Sequence, residues 1–427
     1  MTMIELVGAL TPNHKRSYGF GTIVGVPANI ILEVVMEPVV GLDVAKGFSV
    51  VQAFIKRDEP YGKSLRISHE KDGLEKLGEM LAELETQTGL SPVVVLEATG
   101  HYHRGLVAYL ERGGWTYFIV NPLQAKRAKG TQLRKVKTDT ADAWHLAEMY
   151  YRRDVTPHRT QEESYTELQH VTRQHEFVTG MFVQAKLNMR ALLDQVFPEY
   201  ENVFGNLFSE TSLRVLACCL EDETGNLQEV IRRSAGKSHS RKWTEGKVED
   251  LKGVLSRWVE QPRSRAQTTV LHGMVDLVLA FTKQLGDLEK QMDELAADLP
   301  EVELVKSIPG IGDKLAAAIV AEIGNAGQFK EAKQLVAFAG LDPGIFSSGT
   351  FTATSTRITK RGSKRLRRAL YLAVQCGIRG NTNPRIRAYY DKKRKEGKPY
   401  KVVVIACANK LLHHVYAIVC KRQPFQP

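Results

Sequence analysis

The stretch VVGLDVAKGF, residues 39–48, places Asp43 inside an otherwise apolar run. Such a run reads as a strand bound for a buried sheet. An ionised carboxylate there is costly unless it is paired or holds a metal. The segments that follow continue an α/β pattern. FSVVQAFI (48–55) reads as an adjacent strand, and DGLEKLGEMLAELETQTG (72–89) sets Leu74, Leu77, Leu81 and Leu84 at helical spacing. PVVVLEATG (92–100) is apolar on both faces, as in the centre of a covered sheet. A glycine-closed helix (102–114), a strand ended by proline (116–122) and a basic connection (124–137) lead into TDTADAWHLAEMYYRR (138–153), where Thr138 and Asp139 are natural helix starters. Strands first, then alternating helices, suit a mixed sheet covered by helices.

Three further acids bear on Asp43. Glu97 ends its apolar strand on the same face as Val93 and Val95. Asp139 and Asp142, three apart at a helix start, share one helical face. Two carboxylates about 4 Å apart repel by roughly 4 kcal/mol at an effective dielectric near 20, so four that converge call for cations between them. Oxygen-only ligands favour Mg2+ or Mn2+, and ions held this way serve phosphoryl transfer. His101, His103 and His145 leave zinc as an alternative. Taken singly, the bland readings are a strand carboxylate bonded to a backbone amide and helix-start acids that complement the helix dipole.

The chain has 427 residues and a net charge of +11, unevenly placed. Residues 357–427 carry 19 Lys/Arg against two acids, and the rest carries 40 against 46. A basic lobe on a mildly acidic body suggests a polyanion partner. The sequence reading finds no bilayer-length apolar run and no leader with a cleavage site, so a cytoplasmic, nucleoid-associated protein without a membrane partner is expected. Five cysteines without a C-x-x-C pair read as buried, reduced thiols.

The expected organisation is an N-terminal extension over 1–37, an α/β domain over 38–155, a helical linker over 156–300 and a mainly helical domain over 301–427. Met36 is a candidate start, and an extra strand upstream is the alternative. Within the linker, Leu271, Met274, Val278, Phe281, Leu285, Leu288, Met292, Leu295 and Leu299 form a heptad seam over 271–299. It fits an intramolecular hairpin or a dimerising coiled coil, and self-association is favoured. SIPGIGDKLAAAIVAEIG (307–324) has glycines for a tight turn before a helix N-terminus suited to phosphate, with Ile308, Ile311 and Leu315 as core anchors. RLRRALYLA (365–373) is amphipathic, so Arg365 and Arg368 can face DNA while Leu366, Leu370 and Ala373 pack inward.

The order of strand Asp, strand Glu and helical Asp-x-x-Asp resembles the ribonuclease-H-like nuclease fold. GLDVAK, VLEATGHYH, FIVNPLQAKR and KTDTADAWHLA resemble successive blocks of the DEDD transposases of bacterial insertion sequences. That is insertion sequence family 110, with features of its 1111 branch, whose first domain is similar to the Holliday-junction resolvase RuvC. The fold class implied is a RuvC-like α/β domain, then a helical coiled-coil region, then a mainly α-helical domain with a helix-hairpin-helix-like element. The resemblance spans roughly residues 39–150 and 300–420. It departs at the N-terminal extension and at a charged stretch from about 200 to 265.

Carried over by position, the four acids are Asp43, Glu97, Asp139 and Asp142. FAGLDPGIFSSGTFTATSTRITKRGSKRLRRALYLAV (338–374) resembles the family's C-terminal domain, where a serine before glycine is the proposed DNA-attacking nucleophile. Here that is Ser348, before Gly349, and Ser347 stands beside it. Gly310, Gly312, Lys314, Lys360, Arg361, Lys364, Arg365 and Arg368 are the candidate nucleic-acid contacts. The resemblance implies a transposase or recombinase guided by an element-encoded RNA, acting on donor and target DNA as a homo-oligomer through a serine-phosphate intermediate. The rivals are a metal-dependent junction nuclease without a covalent step and a non-catalytic nucleic-acid-binding protein.

Overall fold

Asp43 lies near the end of the first strand in a computed structural model that describes residues 36–98, 100–129, 138–155, 162–221, 227–235, 239–259, 264–344, 347–348, 351–352 and 357–426. The proposed extension over 1–37 lies outside these apart from Met36 and Glu37. The chain divides into two units, Met1–Thr160 and Gln161–Pro427.

The first unit contains β1 (Val39–Val44), β2 (Phe48–Lys56), β3 (Glu59–Ser68), α1 (Lys71–Thr88), β4 (Val93–Glu97), α2 (His103–Arg112), β5 (Thr116–Val120), α3 (Pro122–Lys129) and α4 (Asp139–Tyr151). The sheet order is β3-β2-β1-β4-β5. β1, β2 and β3 pair antiparallel, while β4 runs parallel to both β1 and β5. This is the mixed sheet covered by helices that the sequence reading expects. Strand alternation sends Val40, Leu42, Val44, Val94 and Leu96 into one core with Leu77, Leu81 and Leu84 of α1 and Leu106 and Leu110 of α2. The other face joins Val39, Val93, Val95 and Val120 to Leu146, Ala147, Met149 and Tyr151 of α4.

Two elements differ from the sequence reading. β3 has no apolar signal because it is a largely exposed edge strand carrying Pro60 and Gly62, so its identity comes from pairing with β2. The basic connection begins with a helix, α3, and its remainder over 130–137 lies outside the described residues.

The second unit is helical: α5 (Glu163–Val196), α6 (Glu210–Leu220), α7 (Leu227–Ala235), α8 (Arg241–Val259), α9 (Arg265–Ala297), α10 (Pro300–Lys306), α11 (Asp313–Ile323), α12 (Ala332–Phe338), then the short strands β6 (Ser347–Ser348) and β7 (Phe351–Thr352), and α13 (Lys364–Gly377), α14 (Pro384–Lys395) and α15 (Tyr400–Lys421). α5 and α9 form an antiparallel hairpin, with Gln195 reaching Gln267 at one end and His175 reaching Glu289 further along. Of the heptad seam, Leu271, Val278, Leu285, Met292 and Leu299 are buried, while the intervening Met274, Phe281, Leu288 and Leu295 are half-buried. The seam therefore packs within one chain, the hairpin alternative.

α15 corrects the expectation of no bilayer-length apolar run. Its best window has a mean hydropathy of 1.7, enough by length and composition to cross a membrane. Val403, Val404, Cys407, Ala408, Leu411, Leu412 and Val415 place it instead in the core shared with α11 and α13. Expected to be buried, Cys376 and Cys420 are exposed; Cys218, Cys219 and Cys407 are buried, and all five are free thiols. Burial pushes the Cys219 thiol up to about 12 and Cys407 to about 11, so both behave as small apolar groups.

Candidate active site

The first-unit acids are placed by backbone register. Leu42 of β1 lies opposite Leu96 of β4, so Asp43 and Glu97 follow side by side where the two parallel strands end. Both alternate with Val39, Gly41, Val93 and Val95, on the face that α4 covers. The helix crosses this face closely at Gly41, where a Cβ would meet the Ala143 carbonyl oxygen at 2.0 Å. Its C-terminal end is tied to the start of β1. Phe54, opposite Val39, stacks edge-on with Tyr151 at 6.5 Å, and the Tyr151 hydroxyl donates to the Glu37 carbonyl at 3.0 Å. The N-terminus of α4 therefore lies toward the end of the sheet that carries Asp43 and Glu97. There Thr138 caps the helix by accepting from the Ala141 N–H, and Asp139 and Asp142 occupy the first turn.

Asp43, Glu97 and Asp142 are partly buried, and Asp139 is exposed. This all-oxygen donor set suits a hard divalent cation. Among the described residues, no three His, Cys, Asp or Glu side chains stand close enough to hold one as they are, which also leaves His101, His103 and His145 without a zinc cluster.

Ser348 lies in the second unit, on a small β-hairpin. The hairpin base is the Pro343–Ile358 bridge, with the Gly344 N–H donating to Arg357 at 2.9 Å and the Thr359 hydroxyl donating to the Asp342 carboxylate at 2.6 Å. Further out, Ser347 pairs with Thr352 and Ser348 with Phe351. Gly349 lies outside the described residues. Lys360 and Arg361 are exposed just beyond the base, Lys360 with φ 54°. This turn packs tightly on α12, for a Cβ at Gly362 would meet the Phe338 carbonyl oxygen at 2.1 Å. Lys364 is exposed at the start of α13.

The remaining candidates are held by partners that sequence reasoning missed. Leu366, Leu370 and Ala373 of α13 point into the core as expected. Arg365 and Arg368 both grip Glu176 of α5, at 3.1 and 2.7 Å. Lys314 donates to Glu289 of α9, which His175 also approaches at 3.3 Å. Burial pushes the Glu289 carboxyl up, but hydrogen bonds from Lys314 and His175 outweigh it and hold it below its ordinary range. Beneath these pairs, Glu322 is 6% exposed and accepts from Arg173 at 2.7 Å and from the Ser363 hydroxyl at 2.6 Å. Ser363 in turn caps α13 by accepting from the Leu366 N–H. These acids are far from their partners in sequence, and the patterns that contain Glu289 and Glu322 assign neither acid a partner. Only Ser363, a serine directly before a helix, carried a local signal.

Ile308 and Ile311 are buried and Leu315 packs against the same core. Gly310 has φ 97°, and a Cβ there would meet Gly377 Cα at 2.7 Å, so it serves a close helix approach. Gly312 is exposed before α11, with open space around it.

Two family profiles match this chain. One, described as "Transposase", covers residues 40–198, and the other, described as "Transposase IS116/IS110/IS902 family", covers residues 302–391. Among relatives, the insertion element IS900 uncharacterized 42 kDa protein of Mycobacterium paratuberculosis is 27% identical over 334 residues, 75% of this chain and 81% of that one. The insertion element IS116 uncharacterized 44.8 kDa protein of Streptomyces clavuligerus is 26% identical over 343 residues, 78% of this chain and 83% of that one. A solved structure of T. thermophilus RuvC in complex with Holliday junction substrate aligns at 12% identity and a TM-score of 0.21, covering 29% of this chain and 99% of that one. With both profiles in order along one chain, this protein belongs to the IS110/IS116/IS902 family of insertion-sequence transposases.

Proposed function

We propose that this protein cuts and rejoins DNA as a recombinase of its insertion sequence, using the acidic end of the first unit together with Ser348 of the second. One observation carries the reading. Asp43 and Glu97 end adjacent parallel strands on the face covered by α4, whose first turn holds Asp139 and Asp142. These four residues would hold Mg2+ or Mn2+, which when bound supplies Lewis-acid stabilisation of charge on phosphate oxygens.

Ser348 Oγ attacks the scissile phosphorus, forming a phosphoserine ester as the bond to a deoxyribose oxygen breaks. The proton lost by the serine is matched by one gained at the departing sugar oxygen. A sugar hydroxyl of the new partner strand then attacks the same phosphorus and returns the serine hydroxyl. Bond energy is conserved throughout, which is why a chain that carries these carboxylates would also need a serine, since carboxylates alone would suffice for hydrolysis. Lys360, Arg361 and Lys364, exposed next to the hairpin, supply positive potential for the phosphate.

An element-encoded RNA selects the DNA, in keeping with the basic C-terminal lobe, and the protein works in the bacterial cytoplasm at the nucleoid. It assembles as a homo-oligomer. Phe177, Val183 and Leu187 of α5 and Val270 and Leu277 of α9 remain exposed on the hairpin, a stripe that a second copy would cover.

The test is strand cleavage of element-end DNA by protein co-expressed with the element's RNA, with Mg2+ or with chelator. Loss of cleavage with chelator, in Asp43→Asn and in Ser348→Ala supports the reading. Cleavage that survives Ser348→Ala but not Asp43→Asn leaves a plain metal-dependent nuclease. Binding without cleavage under every condition leaves a non-catalytic binder.

A further inference from the structure

The ion pairs between α13, α11 and the α5–α9 hairpin surround a cavity of about 170 Å3 lined by Arg173, Glu176, Lys314, Glu322, Arg365 and Arg368. Its charges are arranged unusually. Arg365 and Arg368 lie three apart on α13, so they share a face, and each takes one oxygen of the same carboxylate, Glu176. A phosphodiester offers the same two-oxygen fork to guanidinium groups. Glu289 differs in meeting both Lys314 and His175 through one oxygen, Oε1.

The outer pairs are accessible. The side chains of Glu176, Glu289, Arg365, Lys314 and Arg368 are 31, 33, 37, 57 and 53% exposed, whereas that of Glu322 is 5% exposed. Ion pairs as open as the outer set add little to stability. They can therefore be exchanged at small cost, while Glu322 cannot.

We propose that Glu176 and Glu289 act as internal phosphate mimics: they occupy Arg365, Arg368 and Lys314 in the free protein, and DNA phosphates displace them on binding. This rests on the reading that the basic face of the second unit binds DNA, and it adds a competitive step to that reading. Free protein then binds arbitrary DNA less tightly than its basic charge allows. DNA must in addition break the contacts that join the hairpin to α11 and α13, so binding loosens that join.

The test uses full-length protein and a labelled DNA duplex of arbitrary sequence, with affinity measured between about 50 and 200 mM salt, the range over which counterion release is read. The variants are Glu176→Gln and Glu289→Gln. Glu294→Gln, an exposed acid on α9 outside the cavity, controls for the general loss of negative charge. Thermal unfolding of each variant confirms that it is folded.

The expected result is tighter binding in Glu176→Gln, roughly 3–10-fold beyond Glu294→Gln. The slope of log affinity against log salt stays close to that of wild type, because the same cations end on phosphates in both proteins, each contributing about 0.9. Glu289→Gln acts in the same direction through a single lysine. Should Glu176→Gln fold poorly, Glu289→Gln decides the matter alone. Wild-type binding with a normal salt slope, but no gain in either variant beyond the control, overturns the mimicry and leaves DNA binding in place. Absence of any salt-dependent DNA binding by the wild-type protein overturns both.

Discussion

The acids of the first unit and the cations of the second are positioned by opposite means. Asp43 and Glu97 stand together because β1 and β4 run in register, and Asp139 and Asp142 share a face because a helix turns every 3.6 residues. Backbone periodicity alone places them. Arg365, Arg368 and Lys314 are instead held by single side chains on α5 and α9, as far as 192 residues away in sequence. A site built on backbone geometry keeps its arrangement when one of its own acids is changed. A surface built on side-chain pairs is rearranged by one change, which suits a part of the molecule that must release and re-form contacts.

The largest effect should come from the first unit's chemistry. On the proposed mechanism, Asp43→Asn removes one of the charges that would hold the metal without altering volume, so the fold should hold while cleavage falls by about a thousandfold or more, the equivalent of about 4 kcal/mol of lost charge stabilisation. Steady-state cleavage rates together with an unchanged thermal unfolding curve would check this. Gly41→Ala tests the backbone half of the comparison. Its Cβ would meet the Ala143 carbonyl oxygen at 2.0 Å, forcing α4 outward with Asp142 on it. Overpacking of this kind costs about 1–3 kcal/mol. The unfolding midpoint should drop, and cleavage should fall with it although no acid has been touched.

In the second unit, Glu322→Ala strands Arg173 and unties Ser363 from the start of α13. Losing hydrogen bonds to a buried charged group costs about 2 kcal/mol, read as a lower denaturant midpoint. Glu322→Gln should recover part of it, because an amide oxygen still accepts.

The smallest effect is pH-dependent. Hydrogen bonding from Lys314 and His175 holds the Glu289 carboxyl below its ordinary 4.5. A carboxyl depressed in the folded state contributes stability above its unfolded value and loses it as the pH falls through the folded one. Because the side chain is one-third exposed and solvent screens the pair, its contribution stays below about 1 kcal/mol. Wild type and Glu289→Gln should differ slightly in denaturant midpoint at neutral pH and converge as the pH falls through the depressed folded value.

The sequence was legible where periodicity carries the information. β1, β2, β4 and β5 and the backbone placement of Asp43, Glu97, Asp139 and Asp142 follow from alternation and helical spacing, and Thr138 announced its helix. β3 did not, because an exposed edge strand has no apolar face to display. The heptad seam was visible, but its partner was not. A seam specifies an apolar stripe without naming the helix that covers it, and here α5 of the same chain does so. α15 was hidden for a related reason, since Lys410 and the paired His413 and His414 interrupt an otherwise apolar helix. Arg365 and Arg368 read as a DNA-facing pair because the amphipathic pattern shows which face is polar and nothing about what meets it. Glu176, Glu289 and Glu322 had no signature at all.

The most direct test of the serine mechanism is to map a trapped adduct. The protein, with its element RNA, Mg2+ and labelled donor DNA, is denatured during reaction and digested, and the DNA-linked peptide is sequenced by mass spectrometry. A nucleotide on Ser348, absent from Asp43→Asn and from Ser348→Ala, is the expected result. Cut DNA with no protein attached, or with the nucleotide on another residue, would contradict it.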